Sequence, residues 1–439
     1  MSVRTGISEL ALKTAHRLSA VDDRAFQRGC VLLASAGMVL WVGLFLAMPG
    51  LYPAGVFKEN APWQDKTPPA IRLVGDSSRY LLGSENLLAG RPLRNKQASY
   101  LGYVVLVAGC AGAGIGLPGV VGAQVLFALL SLPCLYGLAR RLGGRWTAAV
   151  ATLLYAANPE VAAWHTIIQT DSLYISCLLI VIWLYARARE GGWASGIAAT
   201  LACVAVVFVR PNGWIVPPAL GMHAVWTARS WARPAKILFT ASMVALLLVG
   251  AIAVRPLRRG LDAEDPVRML YQGEVLWGHA PWRLTMPEKP ETATTLGHAF
   301  AYAARHPFAC ARLALARVGV LLVRVRPGYS FKHNLFVLLV YPPLLLLALL
   351  GAFATWRTTT GGAIVAVIAG HILTVALTFA HQDGRFFLYF FPEILILAAV
   401  SAVAWLGRWR RRGMEHVQPA TAEGHTISSN RVVSGVAKE

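Results

Sequence analysis

Two aspartates, each set among other polar side chains, are the residues best suited to chemistry in this chain. Asp76 opens the stretch GDSSRYLLGSENLLAGRPLRNKQASYLGY, residues 75–103, with Arg79 and Tyr80 one helical turn later and Glu85 further on. An aspartate at a helix start is ordinarily a cap, but a cap does not require an arginine, a tyrosine and a second carboxylate in the next two turns. Asp171 stands in NPEVAAWHTIIQTDSLYIS, at the start of an apolar run and close to Glu160, His165 and Gln169. A pair of carboxylates can divide labour: one takes a proton from an attacking group, the other orients that group or helps hold a divalent metal. Mg or Mn between Asp76 and Asp171 fits this reading without being required by it. Three cations are suited to gripping a phosphate. Arg210 in VRPNG and Arg385 in HQDGRFFLYFFP each stand alone in a short connection, and Lys96 precedes a tyrosine-bearing apolar run. A planar guanidinium holds a phosphate through two hydrogen bonds. The simpler role for each arginine is snorkelling, or pairing with a carboxylate such as Asp383. His381, in the same motif, joins Arg79, Tyr80, Glu85, Glu160, His165 and Gln169 as a candidate substrate contact.

The elements that position these residues are apolar helices. Of 439 residues, 56% are hydrophobic and 14% charged, too few charges to cover a soluble protein, so the fold expected is an all-α polytopic membrane protein. The formal net charge of +20 is explained in part by inner-loop anchoring, and no soluble basic domain suggests nucleic acid. The six cysteines lack any CxxC spacing and read as small buried hydrophobes. No Walker-type loop, dinucleotide fingerprint or zinc-spaced cluster is present.

Residues 1–29 are basic and are expected inside, with a first span at 30–49 resembling a signal anchor. Further apolar runs occur near 100–116, 118–138, 147–164, 172–186, 193–209, 212–228, 236–254, 334–356, 362–380 and 388–407. If the run at 100–116 lies along the membrane surface, every short basic loop falls on one side: 139–145, Arg187/Arg189, Arg229/Arg233/Lys236, Arg357 and Arg408 to Arg412. The positive-inside rule selects this arrangement, with about ten spans, both termini cytoplasmic and outer-face juxtamembrane helices. The membrane domain is then 30–407. Its outer loops are at about 50–117, 158–171, 255–333 and 381–388, followed by a basic, disordered cytoplasmic tail at 408–439. The third outer loop carries Trp277, His279, Trp282 and His306. It ends in an apolar helix bearing Arg312, Arg317, Arg324 and Arg326, read as lying on the surface among lipid headgroups.

An Asp-x-x-Arg-Tyr segment after span 1 that ends in Leu-Ala-Gly resembles the first outer loop of GT-C type glycosyltransferases. Among these, the protein mannosyltransferase-like and lipid A aminoarabinose transferase-like enzymes are the nearest in pattern. The ARRLGGR inner loop, NP…TDSLYIS, VRPNG and GRFFLYFFP extend the resemblance over most of 30–407. Ser77 follows Asp76 where the mannosyltransferases usually carry an Asp-Glu pair. The resemblance implies GT-C architecture and a sugar donor carried on a polyprenyl phosphate. It implies transfer to a glycan, lipid or protein acceptor at the outer, periplasmic face of a bacterial inner membrane. It also implies Asp76 as base, Asp171 as the second-loop acidic residue, and Lys96 and Arg385 as lipid-phosphate contacts. A single displacement predicts inversion. Two other classes share the Arg-rich outer loops: a flippase for a lipid-linked sugar, which would be expected to show inverted repeats, and a polysaccharide polymerase or ligase, which would not need the aspartate pair.

Overall fold

A computed structural model of the chain describes residues 22–48, 71–191, 193–228, 266–277, 281–288, 295–326, 329–381 and 384–415. Within them the protein is a bundle of helices with no extended strand, only isolated bridges between loops. Six helices are long and apolar enough to cross a membrane, or seven if one bent pair counts as a span. The fold is all-α and polytopic. The expected count of ten is not reproduced among the described residues, for identifiable reasons. The apolar run at 236–254 lies outside them. The run at 193–209 forms a helix of only 17 residues, and that at 212–228 divides into a 3-10 turn and a helix of 12.

Helix α1 (Asp23–Ala47) begins seven positions before the first apolar run expected at 30, capped by the Asp22 carboxylate on the amides of Arg24 and Ala25. Helix α2 (Ser77–Leu88) and a 3-10 turn (Asn95–Tyr100) precede α3 (Leu101–Gly112). At 12 residues, α3 reaches only about 18 Å, well short of a bilayer core of about 30 Å. Helix α4 (Gly116–Ala156) extends over 41 residues and is broken at Gly144, where φ is +79°. The chain reverses there. The Gln124 amide donates to the carbonyls of His165 and Ile167, which requires roughly 20 residues of helix to run away from that level and a similar length to return. Asp23 pairs with both Arg140 and Arg145 at the far end of this hairpin. A side chain at Gly144 would have to enter a backbone region that is almost reserved for glycine.

Helices α5 (Pro159–Trp164), α6 (Thr170–Glu190), α7 (Trp193–Val209) and α8 (Val216–Thr227) follow. The third connection contributes α9 (Pro266–Tyr271), α10 (Leu296–Arg305) and α11 (Pro307–Val323). Helices α12 (Phe331–Thr355), α13 (Thr359–Leu377), the one-turn α14 (Arg385–Leu388) and α15 (Phe391–Glu415) complete the bundle. Burial separates the roles of the spans. The apolar window of α6 is 61% buried and that of α15 56%, so both are central; that of α12 is 22% buried, and it presents Leu339 and Phe353 outward, as a lipid-facing helix must. Helix α15 runs on through Arg408 and Arg412 to Glu415, so the start of the expected tail at 408–439 is helical.

The third connection departs from expectation. Instead of lying along the surface, α11 turns 105° from the preceding helix and enters the bundle. Arg317, Arg324 and Arg326 are buried, at 1%, 0% and 1% exposure, so they do not sit among lipid headgroups. Arg317 donates to the carbonyls of Glu274, Met269 and Ala376, and Arg326 to those of Val320 and Val325. A buried guanidinium must satisfy its donors internally, and backbone carbonyls at or near helix ends serve here. Replacing Gly144 with Val should lower the unfolding midpoint in detergent, by about 1–3 kcal/mol of stability. Gly122→Ala, at a helical position with open space around it, should leave the midpoint unchanged or raised. Equal responses would contradict the hairpin.

Candidate functional site

The loops at one end of the bundle are held together by backbone bridges. Residues before Asp76 meet the second loop where Arg72 donates its amide to Thr166 and accepts from Ile168. The third loop joins the approach to Arg385 through Trp277 N to Ala380 O, at 2.9 Å, and Ala380 N to Val275 O, at 3.1 Å. These bonds satisfy loop backbone that lacks helix or sheet partners and place the sequence motifs around a single centre.

Asp76 occupies the cap position of α2, yet its carboxylate makes no capping bond. One oxygen meets Arg79 at 3.1 Å and the other Arg385 at 2.9 Å. Arg385 also donates to Gln169 Oε1 at 3.1 Å and to His381 Nε2 at 2.8 Å. The Trp277 ring stacks on His381 at 5.1 Å. Ser77, which follows Asp76, is fully buried. Its hydroxyl accepts from Val74 N and donates to Ile168 O, each at 2.8 Å, so this serine ties the first loop to the second.

Asp171 lies in the first turn of α6, and the cap position belongs to Gln169. One Asp171 oxygen pairs with Arg210 at 2.9 Å and the other accepts from Tyr389 at 2.8 Å. Arg210 donates as well to Thr170 Oγ1 at 2.6 Å, and its guanidinium lies over the Tyr389 ring at 4.7 Å. Gln169 belongs to the Asp76 cluster and Asp171 to the Arg210 cluster, and only Thr170 lies between them, so the two aspartates are neighbours in space.

Their environments differ. The Asp171 side chain is 1% exposed, whereas that of Asp76 is 18% exposed and can be reached. Burial alone would raise the Asp76 carboxyl; the guanidiniums of Arg385, Arg79 and Arg210 outweigh it and hold the group well below the usual carboxylate range. Asp76 is therefore ionised at neutral pH and, in this arrangement, a weak proton acceptor.

The remaining candidates are distributed unevenly. Tyr80 is fully buried and packs edge-on against Tyr100 and Tyr103 at 5.3 and 4.9 Å, a core position. Glu85 is exposed on α2. Lys96 is half-buried in the 3-10 turn. His165 is buried, with Nδ1 bonded to Ser172 Oγ at 2.6 Å. Glu160 belongs to a second cluster: it pairs with Arg324, accepts from Tyr341 at 2.9 Å, and Arg324 lies over the Tyr341 and Phe387 rings. Asp383 and His279 are outside the described residues.

Sequence reading passed over Tyr341, Tyr389 and Thr170, and placed Arg324 among lipid headgroups. The signal for Arg324 was available, because a cation in an apolar run needs a partner; the partner was not, being 164 residues away. Gly384, at φ +70°, lies against Arg324 and immediately before Arg385. Residues 384–391 thus alternate their contacts: Arg385 to Asp76, Phe387 beneath Arg324, Tyr389 to Asp171.

No group of three or more His, Cys, Asp or Glu side chains suited to a metal occurs among the described residues. The two carboxylates do not fit a divalent ion as arranged, since Arg79, Arg385 and Arg210 stand where a second cation would be repelled.

The fold and site together define a polytopic membrane protein with a buried arginine–carboxylate centre at one end of its helices. Residues 112–253 match the model of the family described as dolichyl-phosphate-mannose-protein mannosyltransferase. Among solved structures, the chain is similar to the oligosaccharyltransferase AglB of Archaeoglobus fulgidus in complex with an inhibitory peptide and a dolichol-phosphate. That match has 13% identity and a TM-score of 0.45, covering 94% of this chain and 53% of that one. The enzyme of the same organism tethered to an acceptor peptide containing the NVT sequon matches with 11% identity and a TM-score of 0.48, covering 89% and 51%. This chain spans about half the length of the solved structures it matches. No curated protein matches it.

Two outcomes follow from the site. Asp171→Asn strands Arg210 in a buried place and should cost about 3 kcal/mol or more, read as a lowered unfolding midpoint; Asp76→Asn, partly solvated, should cost less than half of that. Equal losses would contradict the division between the two aspartates. Loss of water pushes the His165 imidazole down from 6.5 to about 4, so the folded protein holds it neutral while the unfolded chain takes up a proton near pH 6.5. Its contribution to stability is complete above that pH and is lost as pH falls toward about 4. In His165→Asn, the unfolding midpoint should therefore fall less steeply over this window than in the parent.

Proposed function

We propose that this chain is a membrane glycosyltransferase of the GT-C type, moving a sugar from a polyprenyl-phosphate donor to an acceptor at the periplasmic face of a bacterial inner membrane, with both termini cytoplasmic. The observation that carries the reading is the shared guanidinium of Arg385, 2.9 Å from the reachable Asp76 carboxylate and 3.1 Å from Gln169. A phosphate is the natural competitor for that guanidinium. The match of residues 112–253 to a family named for a lipid-phosphate mannose donor supports the same donor class.

In the proposed reaction the donor phosphate takes up hydrogen bonds from Arg385, assisted by Lys96. Arg385 then ceases to hold Asp76, whose carboxylate becomes more basic as the neighbouring positive charge is neutralised. Asp76 accepts the proton of the acceptor hydroxyl or amine as that atom bonds to the anomeric carbon. The bond from this carbon to the phosphate oxygen breaks on the opposite face, and its electron pair leaves with the lipid phosphate. One displacement inverts the configuration. Asp171, fully paired with Arg210 and Tyr389, orients the centre rather than accepting a proton. Stabilisation of the departing phosphate by fixed cations would supply a large share of the rate. His381 and Trp277 border Arg385, where the sugar would lie. Glu160, held by Arg324, has a positioning role.

Asp76→Asn tests the proposal with purified protein and a polyprenyl-phosphate sugar. Turnover should fall about a hundredfold or more, with donor binding retained. Undiminished transfer, or transport of the lipid-linked sugar without glycosidic bond formation, would refute it.

A further inference from the structure

Helix α6, which carries Asp171, also lines a basic cavity at its opposite end. A space of about 530 Å³ is lined by Arg189, Thr227, Ala228, Arg357 and Thr359. Arg189 lies 18 positions after Asp171 on the same helix, α6, which places the cavity about 27 Å from the centre along the axis, close to the thickness of a bilayer core. Three features of the lining favour an anion. Both charged residues are arginines, and no carboxylate is among the lining residues. The one adjacent in sequence, Glu190, is occupied by Arg141 at 2.8 Å. Arg189 Nη2 is directed to the Thr227 hydroxyl at 3.2 Å, so its only side-chain hydrogen-bond partner among the described residues is neutral. Thr359 is the first residue of α13, a helix of 19 residues capped by Thr358, whose amides and dipole add positive potential to the same space.

We infer that this cavity binds the phosphate headgroup of an anionic phospholipid from the leaflet opposite the aspartate centre. The level of the cavity and the chemistry of its walls both argue for a lipid phosphate. A basic pocket between spanning helices at headgroup depth attracts anionic lipid, and the guanidiniums of Arg189 and Arg357 can each offer a forked pair of donors. The bound lipid would tie the end of α6 to the start of α13 and the end of α8. The site lies apart from the transfer chemistry and does not depend on it.

The test uses the full chain, purified in neutral detergent and stripped of lipid. Phosphatidylglycerol should raise the unfolding midpoint by several degrees more than phosphatidylcholine at equal concentration, and native mass spectrometry should show one additional adduct with phosphatidylglycerol. The double substitution Arg189→Gln and Arg357→Gln should weaken phosphatidylglycerol binding about tenfold or more. Equal shifts with the two lipids, or an unchanged affinity in the double variant, would overturn the inference. So would an equal shift from inorganic phosphate, which would make the cavity a site for free anions. The three-ligand comparison on the parent protein stands even if the double variant fails to fold.

Discussion

The structure depends on one electrostatic constraint: a guanidinium withdrawn from water must find oxygen inside the protein. Arg210, Arg324 and Arg385 meet it with carboxylates, while Arg317 and Arg326 meet it with backbone carbonyls. Each carboxylate pairing crosses between distant parts of the chain, so satisfying these donors also fixes where the loops lie. Arg210 binds the start of α6, Arg324 binds the first turn of α5 before it, and Arg385 binds the start of α2. Removing any partner leaves a charge that cannot return to water without opening the bundle.

The short segment from Gly384 to Phe391 concentrates this constraint. A left-handed glycine turns the chain, and the residues after it contact all three ion-paired clusters in succession. The arrangement also separates the two aspartates in kind. Asp171 is enclosed and has a partner on each oxygen, as a structural carboxylate requires. Asp76 keeps some exposure, and its partner Arg385 is shared with Gln169 and His381. A guanidinium with several acceptors can exchange one of them at small cost, and in the proposed reaction this makes Asp76 the carboxylate whose basicity a phosphate donor would change.

Much of this was legible in the sequence, and the rest was not for physical reasons. Composition identified a polytopic membrane fold, and the residues of the centre stood out because charge is scarce in such a chain: Asp76, Asp171, Arg210 and Arg385 could each be named. The short basic loop expected at 139–145 contains Gly144, where the helix breaks. The pairings could not be read. Arg385 was expected beside Asp383 or a ligand, yet it reaches back 309 positions to Asp76, a contact that no periodicity encodes. The apolar run with Arg312 to Arg326 misled for a related reason. An amphipathic surface helix and a buried helix with satisfied arginines share the same pattern, and only the positions of the acceptors, Glu160 and the carbonyls of Glu274, Met269 and Ala376, distinguish them. Asp76 does sit at the cap position, but it makes no capping bond, because Arg79 and Arg385 outcompete the helix amides for its carboxylate.

The central claim concerns Arg385 and its choice of partner. Electron cryomicroscopy of the protein with a polyprenyl phosphate bound would test it directly. The account predicts phosphate density on Arg385, with its contact to Asp76 lengthened beyond the present 2.9 Å and the Asp171–Arg210 pair unchanged at 2.9 Å. Phosphate bound elsewhere, with the Arg385–Asp76 pair intact, would contradict it.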